Sequence, residues 1–360
     1  MDCTVITAQA GLAQLAMELQ SAEAIALDTE FLRERTYRAQ LCLLQVGTAQ
    51  RAVCIDPLAE LDLSSLRAAL GAAGPVKIMH AARQDLEVLL EPVALVRPLF
   101  DTQVAAALTG FAPQIGYAEL VKRLLGRELS KAQTRTDWSR RPLSAPQIEY
   151  ALDDVRYLLP LRDALLERLQ ALGRTAWLCE ELAPFAEHDF FQVNPEQAWS
   201  RVKGLRGLDR EREQLARSLA AWRERRAIER NRPRGWILDD NTLRELVLRA
   251  PRTEAALRAL GSLPEGFIKH CGAEILSIIG AAGLPDSLPA PVSRRPDPAL
   301  QAVVRRLSEI NQDVARALGI GAEVLATRRE LEELAAGRGD SPLLRGWRRG
   351  QLGERLLAAL

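Results

Sequence analysis

The run Ala24-Ile25-Ala26-Leu27-Asp28-Thr29-Glu30-Phe31 decides the fold. Four unbroken apolar residues suit a buried strand, yet the run leads straight into two acids. Side chains alternate faces along a strand at about 3.3 Å per residue, so Asp28 and Glu30 project from one face roughly 7 Å apart. That spacing suits carboxylates sharing a pair of cations. Taken alone, the pair is explained equally well by a strand end fraying into solvent.

Working outward, the sequence up to about residue 110 alternates short β-branched runs with helical ones, the pattern of an α/β domain. Further strands are expected at Leu41–Thr48, Ala52–Asp56 and Val76–His80, and helices at Gly11–Leu19, Leu63–Leu70, Gln84–Leu90 and Thr102–Leu108. Beyond Tyr117 nearly everything reads as helix. Ser144-Ala145-Pro146-Gln147 has the form of a capping box with proline in the first turn, so a helix should start there and carry Tyr150 and Asp154. Pro160 is expected to kink or end it. A second helical region runs from about Leu208 to Ala282, and Leu284–Ala299, with five prolines and no periodicity, reads as a linker. These signals divide the chain into a domain at 1–200, a helical domain at 205–283, a linker at 284–297 and a closing helical domain at 298–360. Trp236-Ile237-Leu238 before Leu243-x-x-Leu246 resembles Glu323-Val324-Leu325 before Leu331-x-x-Leu334, although chance matching of Leu-rich helices explains this as well.

A chain of 360 residues exceeds what one hydrophobic core usually organises, and 48% hydrophobic with 26% charged residues is ordinary for a globular protein. The five cysteines are scattered and never form C-x-x-C, which argues against a disulfide framework or a zinc knuckle and for a reducing compartment. The N-terminal stretch lacks a basic, then apolar leader, and no run approaches the ~18 apolar residues of a membrane span, so a cytoplasmic protein is expected. Net charge is +1, yet residues 1–200 carry 19 Lys/Arg against 26 Asp/Glu, whereas 201–283 carry 17 against 11. An acidic body followed by a basic module suits cation binding in the first and a polyanion partner for the second.

Two more elements supply acids. Val76–His80 is followed by Asp85 in the first turn of the next helix, where an acid is favoured by the dipole whether or not it has a further role. On the capped helix, Tyr150 and Asp154 stand four residues apart on one face, while Asp153 lies about a hundred degrees away. Four carboxylates brought together without cations would repel one another and raise their own pKa values, and metal binding removes that conflict. The chain has three histidines, and His80 reads better as a packed strand-end residue than as a ligand; oxygen ligands alone suit Mg²⁺ or Mn²⁺.

In their order and spacing these residues resemble the DEDD exonucleases, in the branch with tyrosine in its third motif, and within it the ribonuclease D family. The resemblance is carried by Leu27-Asp28-Thr29-Glu30-Phe31, by Gln40-Leu41-Cys42-Leu43-Leu44-Gln45-Val46, and by Asp137-Trp138-Ser139-Arg140-Arg141-Pro142-Leu143 with Gln147, Tyr150, Ala151, Asp154 and Val155 beyond. Downstream, Trp222-Arg223 and Pro233-Arg234-Gly235-Trp236-Ile237-Leu238 resemble the HRDC domain, a helical nucleic-acid-binding module. The resemblance implies a ribonuclease-H-like α/β exonuclease domain, a mixed sheet flanked by helices, followed by two all-α HRDC-like domains. It further implies metal-dependent hydrolysis of RNA from the 3′ end to nucleoside 5′-monophosphates, with tRNA precursors among the substrates. By motif, Asp28 would bridge two metals, Glu30 and Asp154 would hold the one bearing the attacking water, Asp85 would support the other, and Tyr150 would orient the nucleophile.

Basic residues suggest how RNA is gripped. The stretch Arg223–Arg234 holds six arginines and two glutamates, with Arg230 and Arg232 the candidate phosphate contacts and a solvated face the plain alternative. Lys131, Arg135 and Arg141 precede the Tyr150 helix and are candidates for phosphates beside the scissile bond; for Arg141 a salt bridge fixing its loop is an equal alternative. Trp138 reads as a packing anchor before a base-stacking platform, and Phe31 and Leu32 as a wedge against the terminal base or as core. A DNA exonuclease on the same fold and a non-catalytic nucleic-acid-binding protein are the rival readings. No G-x-x-x-x-G-K loop is present, so no nucleotide cofactor is expected, and a monomer is favoured.

Overall fold

The computed structural model describes residues 5–129, 136–205, 208–283, 297–337 and 340–360. It packs as two compact units, one of Met1–Leu32, Gln40–Phe191 and Asp297–Leu360, the other of Arg33–Ala39 and Gln192–Pro296. The first is built on six strands: β1 (Val5–Ile6), β2 (Ala24–Leu32), β3 (Gln40–Gly47), β4 (Ala52–Ile55), β5 (Val76–Met79) and β6 (Leu99–Asp101). Their order is β1-β4-β3-β2-β5-β6. Strands β2, β3 and β4 pair antiparallel, while β5 and β6 run parallel to β2 and β1 runs parallel to β4, giving a mixed sheet. The acid-bearing strand is therefore central, and helices follow both β5 and β6.

Four of these strands coincide with apolar runs in the sequence, but β1 and β6, of two and three residues, are too short for periodicity to reveal. The helix expected at 63–70 begins instead as a 3-10 turn, Leu63–Leu66, capped by the Asp62 carboxylate accepting from Ser64 N–H at 3.0 Å, and gains one α turn only at Arg67–Leu70. The helix Ala145–Arg156 starts at the capping box, where Gln147 Oε1 accepts from the Ser144 amide at 2.9 Å and its hydroxyl at 2.8 Å. It stops before Pro160. A new helix, Leu158–Ala171, carries that proline in its first turn, where the missing N–H has no partner to lose.

The helices Leu158–Ala171 and Thr175–Leu182 enclose a core with the closing segment: Leu161, Leu165 and Leu178 pack in one cluster with Leu307, Val314, Leu331 and Trp347. Trp177 and Trp347 stack with centroids 4.4 Å apart, and Arg174 donates to the carbonyls of Leu108 at 2.7 Å and Leu318 at 2.5 Å. The closing helices thus share the core of the sheet-bearing unit. In the other unit, the helix Arg210–Glu229 packs with Asp240–Arg249 and Glu265–Ala281 around Leu215, Leu219, Leu243, Leu246 and Ile275. The β2–β3 connection, Arg33–Ala39, belongs to this unit: the Tyr37 hydroxyl donates to the buried Glu224 carboxylate, and Arg38 N–H to Asn231 Oδ1 at 3.0 Å. The stretch read as a linker, apart from Asp297, lies outside the described residues.

Candidate active site

Burial falls along β2 from the fully enclosed Ile25, Ala26 and Leu27 to half-buried Asp28 and Glu30, so the acids stand where the strand leaves the core. A bulge between Glu30 and Phe31 turns the strand after the second acid. Thr29 points the other way and is buried; its hydroxyl donates to Asp85 Oδ1 at 2.5 Å, tying the third acid to the same strand. Asp85 lies in the first turn of the helix Arg83–Leu89. The entry to that helix is held by Asp101, whose carboxylate accepts from Ala81 N–H at 3.0 Å and Ala82 N–H at 2.8 Å. Ala81 has φ 58°, a left-handed conformation that those bonds stabilise. Asp154 and Tyr150 approach from the Ala145–Arg156 helix, with the phenol within hydrogen-bonding reach of the Asp154 carboxylate.

Burial raises all four acids, and Asp28 and Glu30 also feel the charges of their neighbours. Burial, then the charges of Asp85, Asp154 and Glu30, hold Asp28 protonated well above the ordinary carboxylate range. Burial, with Asp154 and Asp85 nearby, pushes Glu30 up to about 8. Asp154 rises to about 7, chiefly by burial and the adjacent Asp153, against the opposing Tyr150 hydrogen bond. Asp85 rises to about 6 through burial, moderated by Thr29. Among the described residues no three potential ligands are drawn together tightly enough to enclose an ion. The acids are near neighbours, an all-oxygen donor set of the kind Mg²⁺ or Mn²⁺ takes, and bound cations would favour their ionised forms. A cleft of about 580 Å³ opens beside Tyr150 and Asp154, with Gly116, Tyr117 and Lys122 on its walls.

Other residues singled out in the sequence lie apart from this group or serve it indirectly. Asp153 pairs with Arg156. His80 engages the Thr102 hydroxyl and the Ile115 carbonyl, both at 2.9 Å, as a packed strand-end residue. Trp138 is buried against Leu43, Tyr150 and Ala151, its ring centroid 6.1 Å from that of Tyr150. All five N–H groups of Arg141 are engaged: two on Asp56 at 2.6 and 2.7 Å, the others on the carbonyls of Cys42, Trp138 and Arg140. The loop-fixing ion pair is the arrangement present. Phe31 and Leu32 are half-buried at the strand end. Lys131 and Arg135 lie outside the described residues.

Of the six arginines in 223–234, Arg223 pairs with Asp240, Arg225 with Glu196, Arg226 with Glu274 and Arg234 with Glu224. Arg230 and Arg232 are exposed, and among the described residues neither forms an ion pair; the Arg232 guanidinium sits 5.9 Å from the ring centroid of Trp236, itself 61% exposed.

Two residues that position the acids escaped the sequence reading. A Cβ at Gly47 would lie 3.1 Å from Ala26 Cβ and 3.2 Å from the Val155 carbonyl, so its absence lets the helix bearing Asp154 settle onto the sheet. The Tyr117 hydroxyl accepts from Tyr157 N–H at 3.2 Å and donates to the Asp153 carbonyl at 2.8 Å, inserting between groups that would otherwise join as i and i+4. This insertion ends the helix two residues past Asp154.

Residues 3–170 match the family described as 3′-5′ exonuclease, and residues 212–279 match the HRDC domain. The sheet, the helices behind it and the downstream helical module are thus those of a DEDD-type 3′-5′ exonuclease carrying an HRDC domain. The chain is 38% identical to ribonuclease D of Granulibacter bethesdensis across 99% of its own length and 92% of that protein's, and 43% identical to ribonuclease D of a Jannaschia species across 90% and 86%. The crystal structure of Escherichia coli RNase D, an exoribonuclease involved in structured RNA processing, superposes with a TM-score of 0.88 at 33% identity, covering 100% of this chain and 99% of that one. The chain belongs to the ribonuclease D family of 3′-5′ exoribonucleases. Exonucleases of this type are typically dependent on divalent metal ions.

Proposed function

We propose that Asp28, Glu30, Asp85 and Asp154 hold two divalent cations, Mg²⁺ or Mn²⁺, and that with Tyr150 they remove nucleotides from the 3′ ends of structured RNA such as tRNA precursors. The observation carrying this reading is the convergence of four carboxylates and a phenol from β2 and two helices, each acid raised above its ordinary range chiefly by burial. Bound cations would make the attacking water more acidic and stabilise the departing 3′ oxygen. Asp28 would serve both ions, Glu30 and Asp154 the one on the nucleophile's side, and Asp85 the other. Burial and the neighbouring Asp154 raise the Tyr150 pKa, so the phenol keeps its proton and can orient a water by donating or accepting. Asp154 in turn limits where that hydroxyl points. Arg230, Arg232 and the exposed Trp236 offer two phosphate-binding forks and a stacking face, a combination suited to single-stranded RNA. Lys131 and Arg135 are read as further phosphate contacts. Among the described residues no helix is long and apolar enough to cross a membrane, and three of the four free cysteines described are buried, consistent with work in the cytoplasm.

The decisive variant is Asp28→Asn. It should abolish metal-dependent shortening of a 5′-labelled, 3′-extended tRNA precursor while retaining cooperative unfolding; shortening at the original rate would overturn the assignment. A matched DNA strand in the same assay, expected to be shortened far more slowly, decides between RNA and DNA.

A further inference from the structure

Gln45 lies in the middle of β3, fully buried, and neither its amide nitrogen nor its amide oxygen meets a hydrogen-bond partner. Among the described residues it is the one side chain with all its polar atoms enclosed and unpaired. Buried amides are nearly always paired, because an orphaned one forfeits its water without replacement. The register supplies a reason for keeping it. Gln45 is the direct cross-strand partner of Asp28. Side chains directly opposite in an antiparallel pair share a face, with Cβ atoms about 4.5–5.5 Å apart. Its partner on the other flank is Cys54. Cys54 belongs to an apolar cluster with Leu43, Ala151 and Leu152, the last two from the helix above that face. The polar group this neighbourhood offers the amide is the Asp28 carboxylate.

We propose that Gln45 is the positioning residue for Asp28: its Nε2, opposite Asp28 across the β2–β3 ladder, donates to the carboxylate in its metal-holding rotamer and fixes the orientation that turns Asp28 toward the other three acids. The proposal rests on the reading of Asp28 as a metal ligand. An ionised carboxylate offers about four acceptor positions, so it can serve cations and an amide donor together. An unpaired buried donor costs stability in the metal-free protein, and that cost is recovered when the carboxylate turns to hold a cation and accepts from it, which is how ligand orientation is commonly fixed around metals. Sequence alone marks Gln45 only as a polar residue inside an apolar strand.

The test uses full-length protein and Mn²⁺ as the probe, with affinity from titration calorimetry and stability from thermal unfolding in chelator. Gln45→Met nearly conserves volume while removing both orphaned atoms. The expected result is an unfolding temperature in chelator equal to or above that of the wild type, with Mn²⁺ affinity about tenfold weaker. Gln45→Glu should also bind more weakly, because a second carboxylate then faces Asp28. Three results would overturn the proposal: a Gln45→Met affinity within twofold of wild type, a marked drop in its unfolding temperature in chelator, which would make Gln45 a packing residue, or tighter binding by Gln45→Glu, which would make position 45 a ligand. Absence of Mn²⁺ binding by the wild type would instead overturn the metal site itself.

Discussion

At the level of single residues, the folded state encloses acids that the unfolded chain leaves in water, and burial, with neighbouring charges, resists their ionisation. Glu30, Asp154 and Asp85 titrate near 8, 7 and 6 in the folded protein, against 4.5, 3.8 and 3.8 as unperturbed groups. Between about pH 4 and 8 the folded chain therefore holds more protons than the unfolded one, and stability falls as pH rises through that window. In chelator, raising the pH from 5 to 8 should lower stability by several kcal/mol, read from denaturant midpoints. Millimolar Mg²⁺ should remove most of the decline, since cations favour the ionised acids. A flat profile without metal would mean that the fold does not raise these acids as described. The same acids were the most legible part of the sequence: alternation in β2 and the i, i+4 spacing of Tyr150 and Asp154 are local rules. Thr29, whose bond to Asp85 spans 56 positions, has no local signature.

Secondary-structure elements were readable where their punctuation is local and unreadable where it comes from elsewhere. The start of the Ala145–Arg156 helix is announced by Ser144 and Gln147 three residues apart. Its end is set by Tyr117, some forty positions earlier, and Pro160, the residue that looked responsible, sits harmlessly in the next helix. Replacing Tyr117 with Phe removes the inserted hydroxyl and lets the Asp153 carbonyl and Tyr157 amide rejoin. The helix should then run on, drawing Asp154 and Tyr150 away from β2. The expected outcome is a kcat about tenfold lower with KM little changed, as misplacement near the reacting atoms produces, and a stability change of only about 1 kcal/mol. An unaltered kcat would show that the interruption has no bearing on the acids. Edge strands pose the opposite difficulty: β1 and β6 are defined by what they pair with, and two or three residues carry no period of their own.

Across the whole molecule, charge was legible and packing was not. The excess of Lys/Arg in residues 201–283 needs only counting, and the structure narrows it to Arg230 and Arg232 by showing four neighbouring arginines already committed to carboxylates. Replacing both with Ala should reduce the salt dependence of RNA binding by about 0.7 per lost contact on a single strand, and an unchanged slope would leave them as solubilising charge. For the closing helices at 298–360, helical periodicity marks an apolar face but not what covers it. That face shares a core with Leu161, Leu165 and Leu178 through Leu307, Val314, Leu331 and Trp347. Burial of each such side chain is worth about 1.5–3 kcal/mol, so losing four of them approaches or exceeds the ~5–15 kcal/mol by which a domain is usually stable. A chain ending at residue 296 should therefore lose cooperative unfolding and accumulate as insoluble protein. Cooperative melting of that shortened chain at the full-length temperature would instead make the closing helices an independent appendage, and the shared core dispensable.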